Sequence, residues 1–295
     1  MLSDFNFDLK SFYIINMIFY IFISVIIQHI AGKMITDEHT KVSSNELYPY
    51  MAAIMKKTSY ISAGALIDES WIITGADSLY MIRDLSRILR VRLGSINYKK
   101  GGFLSPVKYI HIHPLFDDSK PQFDIALIKL ATPLRLTPNL NPIKLLKKPR
   151  QITATHFIVT AWPGPLQVSK NHTSLDSVEL LRRRILTISH VHPLDTEECG
   201  DHLEAQGINN TGGVMCLDPA VDGDPCQRDT GAPVVLNGIL WGVISSWRSE
   251  DCQMENGATF VTLVSNVNIS SWIHATIHGH KVTKKHGIDY DDNFI

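Results

Sequence analysis

Short segments rich in β-branched and aromatic residues recur along most of this chain. Examples are ILRVRLGSI, DIALIKL, HFIVTAW and GILWGVISSW, and Gly, Pro and Asn residues separate them. Segments of this kind, bounded by turn-forming residues, are typical of the strands of a sandwich or barrel. The main helical pattern is NVNISSWIHATIH, in which Val267, Trp272, Ile273 and Ile277 fall broadly on one side. The sequence therefore predicts an all-β body with a C-terminal helix packed on it.

Length and charge favour a single β domain and exclude some classes of partner. The chain has 295 residues with 44% hydrophobic content, which is enough for one sizeable core. Its net charge of −1 gives no general attraction for nucleic acid or for an anionic membrane. Two local basic runs, at 147–150 and 182–184, are interpreted as solvated strand ends or loops. We therefore expect no nucleic-acid partner.

The first 32 residues are predicted to be a targeting segment outside the fold. From Phe12 to Ile27 the chain is nearly all apolar, and the small residues Ala31 and Gly32 follow. A cleaved signal peptide, and hence secretion, is the favoured interpretation. An uncleaved membrane anchor formed by residues 12–30 is the alternative. Three sequons are candidate glycosylation sites in the secretory pathway: Asn171, Asn209 and Asn268.

The segment from Gly223 to Pro233 reads GDPCQRDTGAP. It resembles the nucleophile loop of the trypsin-like serine proteases, which reads GDSCQGDSGGP in that family. The resemblance extends over about residues 33–278 and implies a double six-stranded β-barrel with a C-terminal helix. It leaves residues 279–295 as a polar tail.

The resemblance assigns the three positions of the catalytic triad to Asp77, Asp124 and Thr230. Aligned on Trp71 in SAGALIDESWIITGADS, Asp77 stands where the family has its catalytic histidine, and FDIALIKL matches the family motif that carries the orienting aspartate, here Asp124. A carboxylate with a pKa near about 4 is too weak a base to take a hydroxyl proton at neutral pH. We therefore expect Asp77 to be a non-catalytic acid. Whether it faces Asp124 as a carboxylate pair or is shifted away remains open.

The oxyanion hole and the specificity pocket are altered as well. Arg228 replaces a family glycine whose N–H helps to form the oxyanion hole, and losing one such donor costs about 3 kcal/mol of barrier. Asp224 matches the acid that attracts a substrate Lys or Arg, Ser246 and Trp247 match the pocket wall, and Arg248 replaces a glycine at the entrance. Two interpretations remain: Arg248 or Arg228 pairs with Asp224 and plugs the pocket, or Arg248 points into solvent.

The cysteines fit the same resemblance. All four lie in the C-terminal half, and the resemblance pairs Cys199 with Cys216 and Cys226 with Cys252. Because two other family disulfides are absent as complete pairs, no unpaired thiol remains, as suits a secreted protein. Other residues occupy both ends of each lost disulfide: Ser62 and Ser78, and Phe157 and Leu236.

Zymogen activation is also predicted to be lost. Family zymogens are cut before an IVGG-like sequence, and the new amino terminus pairs with the acid just before the nucleophile. Here Lys33 is followed by MITDEH, without either glycine, and the matching acid is Asp229.

Histidines can act as metal ligands or as a substitute base. Six of the 13 histidines form three candidate pairs: His111 and His113, His190 and His192, and His274 and His278. Since no acidic or cysteine partner lies nearby at a metal-motif spacing, we interpret them as structural and expect no metal or cofactor.

The resemblance thus predicts a catalytically inactive, secreted serine protease homologue. Such proteins act by binding, as cofactors, decoys or regulators of extracellular proteolysis, so the expected partner is an extracellular protein such as an active protease or its substrate. One alternative is a weakly active endopeptidase in which Thr230 attacks with an unusual base. Another is a membrane-anchored adhesion or receptor module, which depends on an uncleaved leader.

Overall fold

The N-terminal half forms a closed barrel of six antiparallel strands. The computed structural model describes residues 40–41, 48–152, 156–163, 177–205, 207–209, 213–218, 230–245 and 258–285. After a two-residue strand β1 (Thr40–Lys41), the barrel strands are β2 (Met51–Lys56), β3 (Ser59–Asp68), β4 (Trp71–Thr74), β5 (Leu89–Leu93), β6 (Phe103–Ile112) and β7 (Ala126–Leu130). They follow the order β2-β3-β4-β7-β6-β5 around the barrel.

The C-terminal half forms a second barrel. Its strands are β8 (Lys144–Leu145), β9 (Phe157–Ala161), β10 (Thr187–Val191), β11 (Val214–Leu217), β12 (Pro233–Leu236), β13 (Ile239–Ile244) and β14 (Thr259–Leu263). Six of them follow the order β10-β9-β12-β13-β14-β11, while β1 extends the sheet beside β10 and β8 pairs in parallel with β13. A bridge between Pro193 and Leu217 links the chain just after β10 to the end of β11. The predicted double six-stranded barrel is confirmed.

Alternating burial explains why these segments form strands. In β5, Leu89, Val91 and Leu93 are buried, while Arg90 and Arg92 lie on the outer face. The hairpin between β12 and β13 turns on Asn237 and Gly238, both with positive φ (51° and 70°). Such a two-residue turn matches the twist of the strands it joins.

One hydrophobic core extends through both barrels, and Trp71, Trp162 and Phe157 are its largest fully buried side chains. Phe157 occupies one end of a lost family disulfide. The register of β9 against β12, continued by one residue, sets it opposite Leu236 at the other end. Apolar packing thus stands where the resemblance places that covalent link.

Within the described residues, four helices and a 3₁₀ turn connect or flank the strands. They are α1 (Asp77–Tyr80), the 3₁₀ turn (Ser86–Ile88), α2 (Ser177–Arg182), α3 (Thr196–Glu204) and α4 (Val267–Lys285). The Cys199–Cys216 disulfide is present and joins α3 to β11, in agreement with the pairing implied by the resemblance. Among the described residues, no helix is both long enough and apolar enough to cross a bilayer.

The C-terminal helix differs from the sequence prediction in two respects. Its buried residues are Ile269, Ile273 and Ile277, spaced four apart along one face. Val267, predicted for that face, is 69% exposed because it occupies the first helical position, before the helix contacts the barrel. The helix also continues to Lys285, into the segment predicted as a tail.

Candidate active site

A buried aspartate occupies the centre of the candidate site. Asp124 lies two residues before the start of β7 and has no solvent exposure. Its Oδ1 accepts hydrogen bonds from the backbone N–H groups of Ala76 (2.6 Å) and Asp77 (2.9 Å). Its Oδ2 accepts a hydrogen bond from the Ser245 hydroxyl at 2.6 Å. These donors give both carboxylate oxygens a hydrogen-bond partner.

The residue before Asp124 sets its direction. Phe123 has a φ of 61°, a left-handed conformation that a bulky side chain rarely adopts. The Ile125 N–H donates to the Phe123 carbonyl at 2.7 Å, and the Phe123 ring stacks on His113 with 4.8 Å between the centroids. A tight turn fixed by ring packing therefore points Asp124 inward.

Asp77 begins α1, and two residues separate it from the end of β4. Its backbone N–H contacts Asp124, while its side chain is exposed. The backbone at the position that the resemblance assigns to the histidine is therefore held by the orienting acid, but the side chain there is a solvent-accessible carboxylate.

Thr230 lies at the junction of the two barrels. Its carbonyl accepts a hydrogen bond from the Ala63 N–H in β3 at 3.0 Å. The following Gly231 has a φ of 74°, and its N–H donates to the Ile244 carbonyl in β13 at 2.8 Å. A Cβ added to Gly75 would lie 3.5 Å both from the Gly231 nitrogen and from Asp124 Oδ1. The structure thus brings together the three positions that the resemblance assigns to a triad.

Sequence reasoning missed Ser245, the third donor to Asp124. It ends the run GILWGVIS and directly precedes Ser246 and Trp247, which were assigned to the pocket wall. The only available signal was this adjacency, because 121 residues separate Ser245 from Asp124 in the chain.

Several predicted positions lie outside the described residues, namely the segment 1–32, Asn171, Asp224, Cys226, Arg228, Asp229, Ser246, Trp247, Arg248 and Cys252. The interpretations placed on these positions remain predictions. The other two sequon asparagines, Asn209 and Asn268, are described and exposed.

The histidines have structural surroundings where they are described. The His192 ring lies 3.4 Å from Asp218, and His274 and His278 stack on the exposed side of α4. Within the described ranges, no three His, Cys, Asp or Glu side chains cluster as metal ligands.

His113 is the buried member of this set, at 4% exposure. Its Nδ1 accepts a hydrogen bond from the Leu115 N–H at 3.2 Å, so that nitrogen carries no proton. The ring also packs edge-on against Trp272 of α4. Burial lowers the pKa of His113 below its usual value, although a backbone hydrogen bond with Asn268 opposes this effect.

We expect His113 to make the fold less stable in mild acid. Since its folded-state pKa is lowered, the unfolded chain binds the additional proton. Stability is therefore fully present above the unfolded pKa of about 6.5 and falls as the pH drops from there through the folded-state pKa. Urea midpoints at pH 5 and 7.5 should differ less for His113→Gln than for the wild type. The matched change at an exposed histidine, His274→Gln, should leave this difference in midpoints unaltered. An equal difference in all three proteins would show that His113 is not the cause of the acid sensitivity.

A double β-barrel with a buried aspartate and a hydroxyl residue at the barrel junction has the architecture of the trypsin-like serine proteases. The family model described as Trypsin matches residues 37–273. This chain belongs to the trypsin family.

Its relatives include proteins named trypsin from insects and mammals. It is 28% identical to a trypsin of Sarcophaga bullata, over 83% of this chain and 89% of that protein. It is 30% identical to trypsin-3 of Homo sapiens, over 78% of this chain and 68% of that protein. Among solved structures it is similar to neuropsin, a serine protease expressed in the limbic system of mouse brain. The TM-score is 0.62 at 23% identity, over 80% of this chain and 98% of that one.

Proposed function

We propose that this chain is a catalytically inactive, extracellular trypsin homologue that acts by binding another protein. The observation that carries the proposal is Asp77. An exposed carboxylate stands where the reaction needs a base, although Asp124 beside it is buried and fully oriented.

Acyl transfer needs a group that takes the hydroxyl proton and later returns it to the leaving amine. An exposed aspartate does neither at neutral pH, because its conjugate acid is too strong. Losing the histidine of a Ser-His-Asp triad costs about 10⁶-fold in kcat, so the hydroxyl on Thr230 does not rescue the reaction. Arg228, which replaces the oxyanion glycine, adds a second loss.

Without catalysis, the chain still has the double-barrel fold of the trypsin family and the surface that this fold presents to other proteins. The proposed role is that of a cofactor, decoy or regulator of extracellular proteolysis, with an active protease or its substrate as partner. Secretion through the N-terminal segment and glycosylation at exposed Asn209 and Asn268 are parts of the same proposal.

A reactive fluorophosphonate probe tests the absence of catalysis. The full chain should remain unlabelled under conditions that label a trypsin completely. The Thr230→Ser variant should also remain unlabelled, because restoring the usual nucleophile supplies no base.

Labelling of the wild type that disappears in Thr230→Ala would overturn the proposal in favour of a weakly active endopeptidase. Affinity capture from the native extracellular fluid tests the binding role. Enrichment of a protease or a protease substrate over a mock column supports it, and a capture profile equal to that column contradicts it.

A further inference from the structure

Basic residues are concentrated on one side of the first barrel, away from the site described above. Residues 51–67 and 85–116 contain eight Lys or Arg and no Asp or Glu, whereas the whole chain balances 28 basic residues against 29 acidic ones. We name this surface the basic face, and its members are Lys56, Lys57, Arg87, Arg90, Arg92, Lys99, Lys100 and Lys108. None of the eight forms an ion pair among the described residues.

The strand register brings these residues together. Arg90 and Arg92 alternate with buried residues on β5 and therefore share its outer face. Across the sheet, Pro106 of β6 lies opposite Arg90 and Leu104 lies opposite Arg92. Lys108 follows two residues after Pro106 and is exposed on the same face.

Hydrogen bonds attach the neighbouring loops to this strand pair. The Lys57 N–H donates to the Ile88 carbonyl at 3.0 Å, which holds the β2–β3 turn against the 3₁₀ turn. Lys99 Nζ donates to the Thr58 carbonyl at 2.6 Å, and the Ser86 hydroxyl donates to the Lys108 carbonyl at 3.1 Å. The cations therefore form one continuous surface.

The two central guanidinium groups are fixed by carbonyl groups and not by carboxylates. Arg90 Nη1 donates to the carbonyls of Arg87 (2.8 Å) and Leu89 (2.7 Å). Arg92 Nε donates to the Tyr98 carbonyl at 2.9 Å, and its Nη1 donates to the Gly101 carbonyl. Each group keeps further N–H donors, and a side chain already held in place loses less entropy when it binds a ligand.

Exposed apolar side chains lie among these cations. Leu104 is 46% exposed, directly opposite Arg92, and Leu85 is 51% exposed next to the 3₁₀ turn. A sulfated polysaccharide has no apolar group to bury against them, whereas a peptide has. Alternate side chains of an extended peptide recur about every 7 Å, which is also the spacing between Arg90 and Arg92.

We propose that the basic face binds an extended, acidic segment of a partner protein in which carboxylates alternate with apolar side chains. Because the first barrel is closed, binding takes place through side chains and not by strand addition. This inference deepens the proposed function and rests on it only in taking the partner to be a protein.

Fluorescence anisotropy with the full chain tests this inference. The probe is a labelled peptide of about twelve residues in which Glu and Asp alternate with Leu and Phe. The triple variant Lys57→Glu, Arg87→Glu and Lys108→Glu changes three exposed side chains. It should weaken binding about 10- to 100-fold at about 0.15 M salt, because three attractions become repulsions.

The matched control is the triple change Lys147→Glu, Lys148→Glu and Arg150→Glu, which alters the same charge at an exposed site elsewhere. It should bind the peptide nearly as the wild type does, and Leu104→Ser alone should weaken binding by a few fold.

Equal losses in the two triple variants would overturn the proposal, as would equal binding of a peptide with Gln and Asn in place of the acids. If a sulfated oligosaccharide binds as tightly as the peptide, and if Leu104→Ser does not change its affinity, the basic face is a glycan-binding site instead. These binding measurements are independent of the fluorophosphonate test. Fluorophosphonate labelling of Thr230 would therefore contradict the proposed inactivity without contradicting the proposed peptide-binding surface.

Discussion

Replacing Gly231 with alanine is expected to destabilise the fold by at least about 4 kcal/mol, a large fraction of the roughly 5–15 kcal/mol that stabilises an ordinary domain. A Cβ at this position would lie 2.5 Å from the Ala63 carbonyl oxygen and 2.9 Å from the Gly75 nitrogen, and it would also overlap Thr74 Oγ1. Two of these atoms belong to the backbone of the first barrel and cannot turn away. The φ of 74° adds a left-handed penalty of about 1–2 kcal/mol.

Gly238→Ala separates the two causes. Gly238 has a similar φ of 70°, but a Cβ there meets no heavy atom within 4 Å. Only the backbone penalty applies, so a loss of about 1–2 kcal/mol is expected. Urea unfolding followed by tryptophan fluorescence measures both variants, with soluble yield as the readout if Gly231→Ala does not fold. Equal losses would show that close packing of the barrels at Thr230–Gly231 is unimportant.

The sequence predicted the double barrel and its strands. The resemblance assigned Asp77, Asp124 and Thr230 to one site, but it did not decide whether the Asp77 side chain faces Asp124. Strand alternation and turn residues are local signals, and the resemblance supplied the order of the segments. It did not reveal Ser245 as a partner of Asp124. The sequence also did not reveal the left-handed conformation of Phe123 or the close contact that Gly231 makes with the first barrel. These features depend on contacts between residues far apart in the chain, which no local pattern records.

The basic face is also formed by residues that are scattered along the sequence. Its cations occur singly or in pairs along residues 56–108, so no single window resembles the basic runs at 147–150 and 182–184. The antiparallel register of β5 and β6 and the packing of two turns bring them onto one surface. Charge segregation of this kind becomes visible only when the fold is known, although the absence of acids over 85–116 was readable beforehand.

Under the proposed function, Asp124 has no histidine to orient, and we expect its effect to be on the stability of the fold. Asp124→Ala would remove the acceptor of three hydrogen bonds, which come from the N–H groups of Ala76 and Asp77 and from the hydroxyl of Ser245. Each unsatisfied buried group costs about 1–3 kcal/mol, so a loss of about 3–5 kcal/mol is expected. Urea unfolding at pH 7.5 measures it.

Asp124→Asn is the matched control, since its amide oxygen still accepts from both backbone N–H groups, and the Ser245 hydroxyl turns to accept from the new NH₂ group. This variant should lose no more than about 1.5 kcal/mol, because the hydrogen bonds are kept and only the charge is removed. If Asp124→Ala were as stable as Asp124→Asn, the carboxylate would not hold β4, α1 and β13 together. If both were near the wild type, the whole hydrogen-bonded cluster would contribute nothing to the fold. The expected difference between the two variants measures how much the hydrogen bonds accepted by Asp124 stabilise the fold.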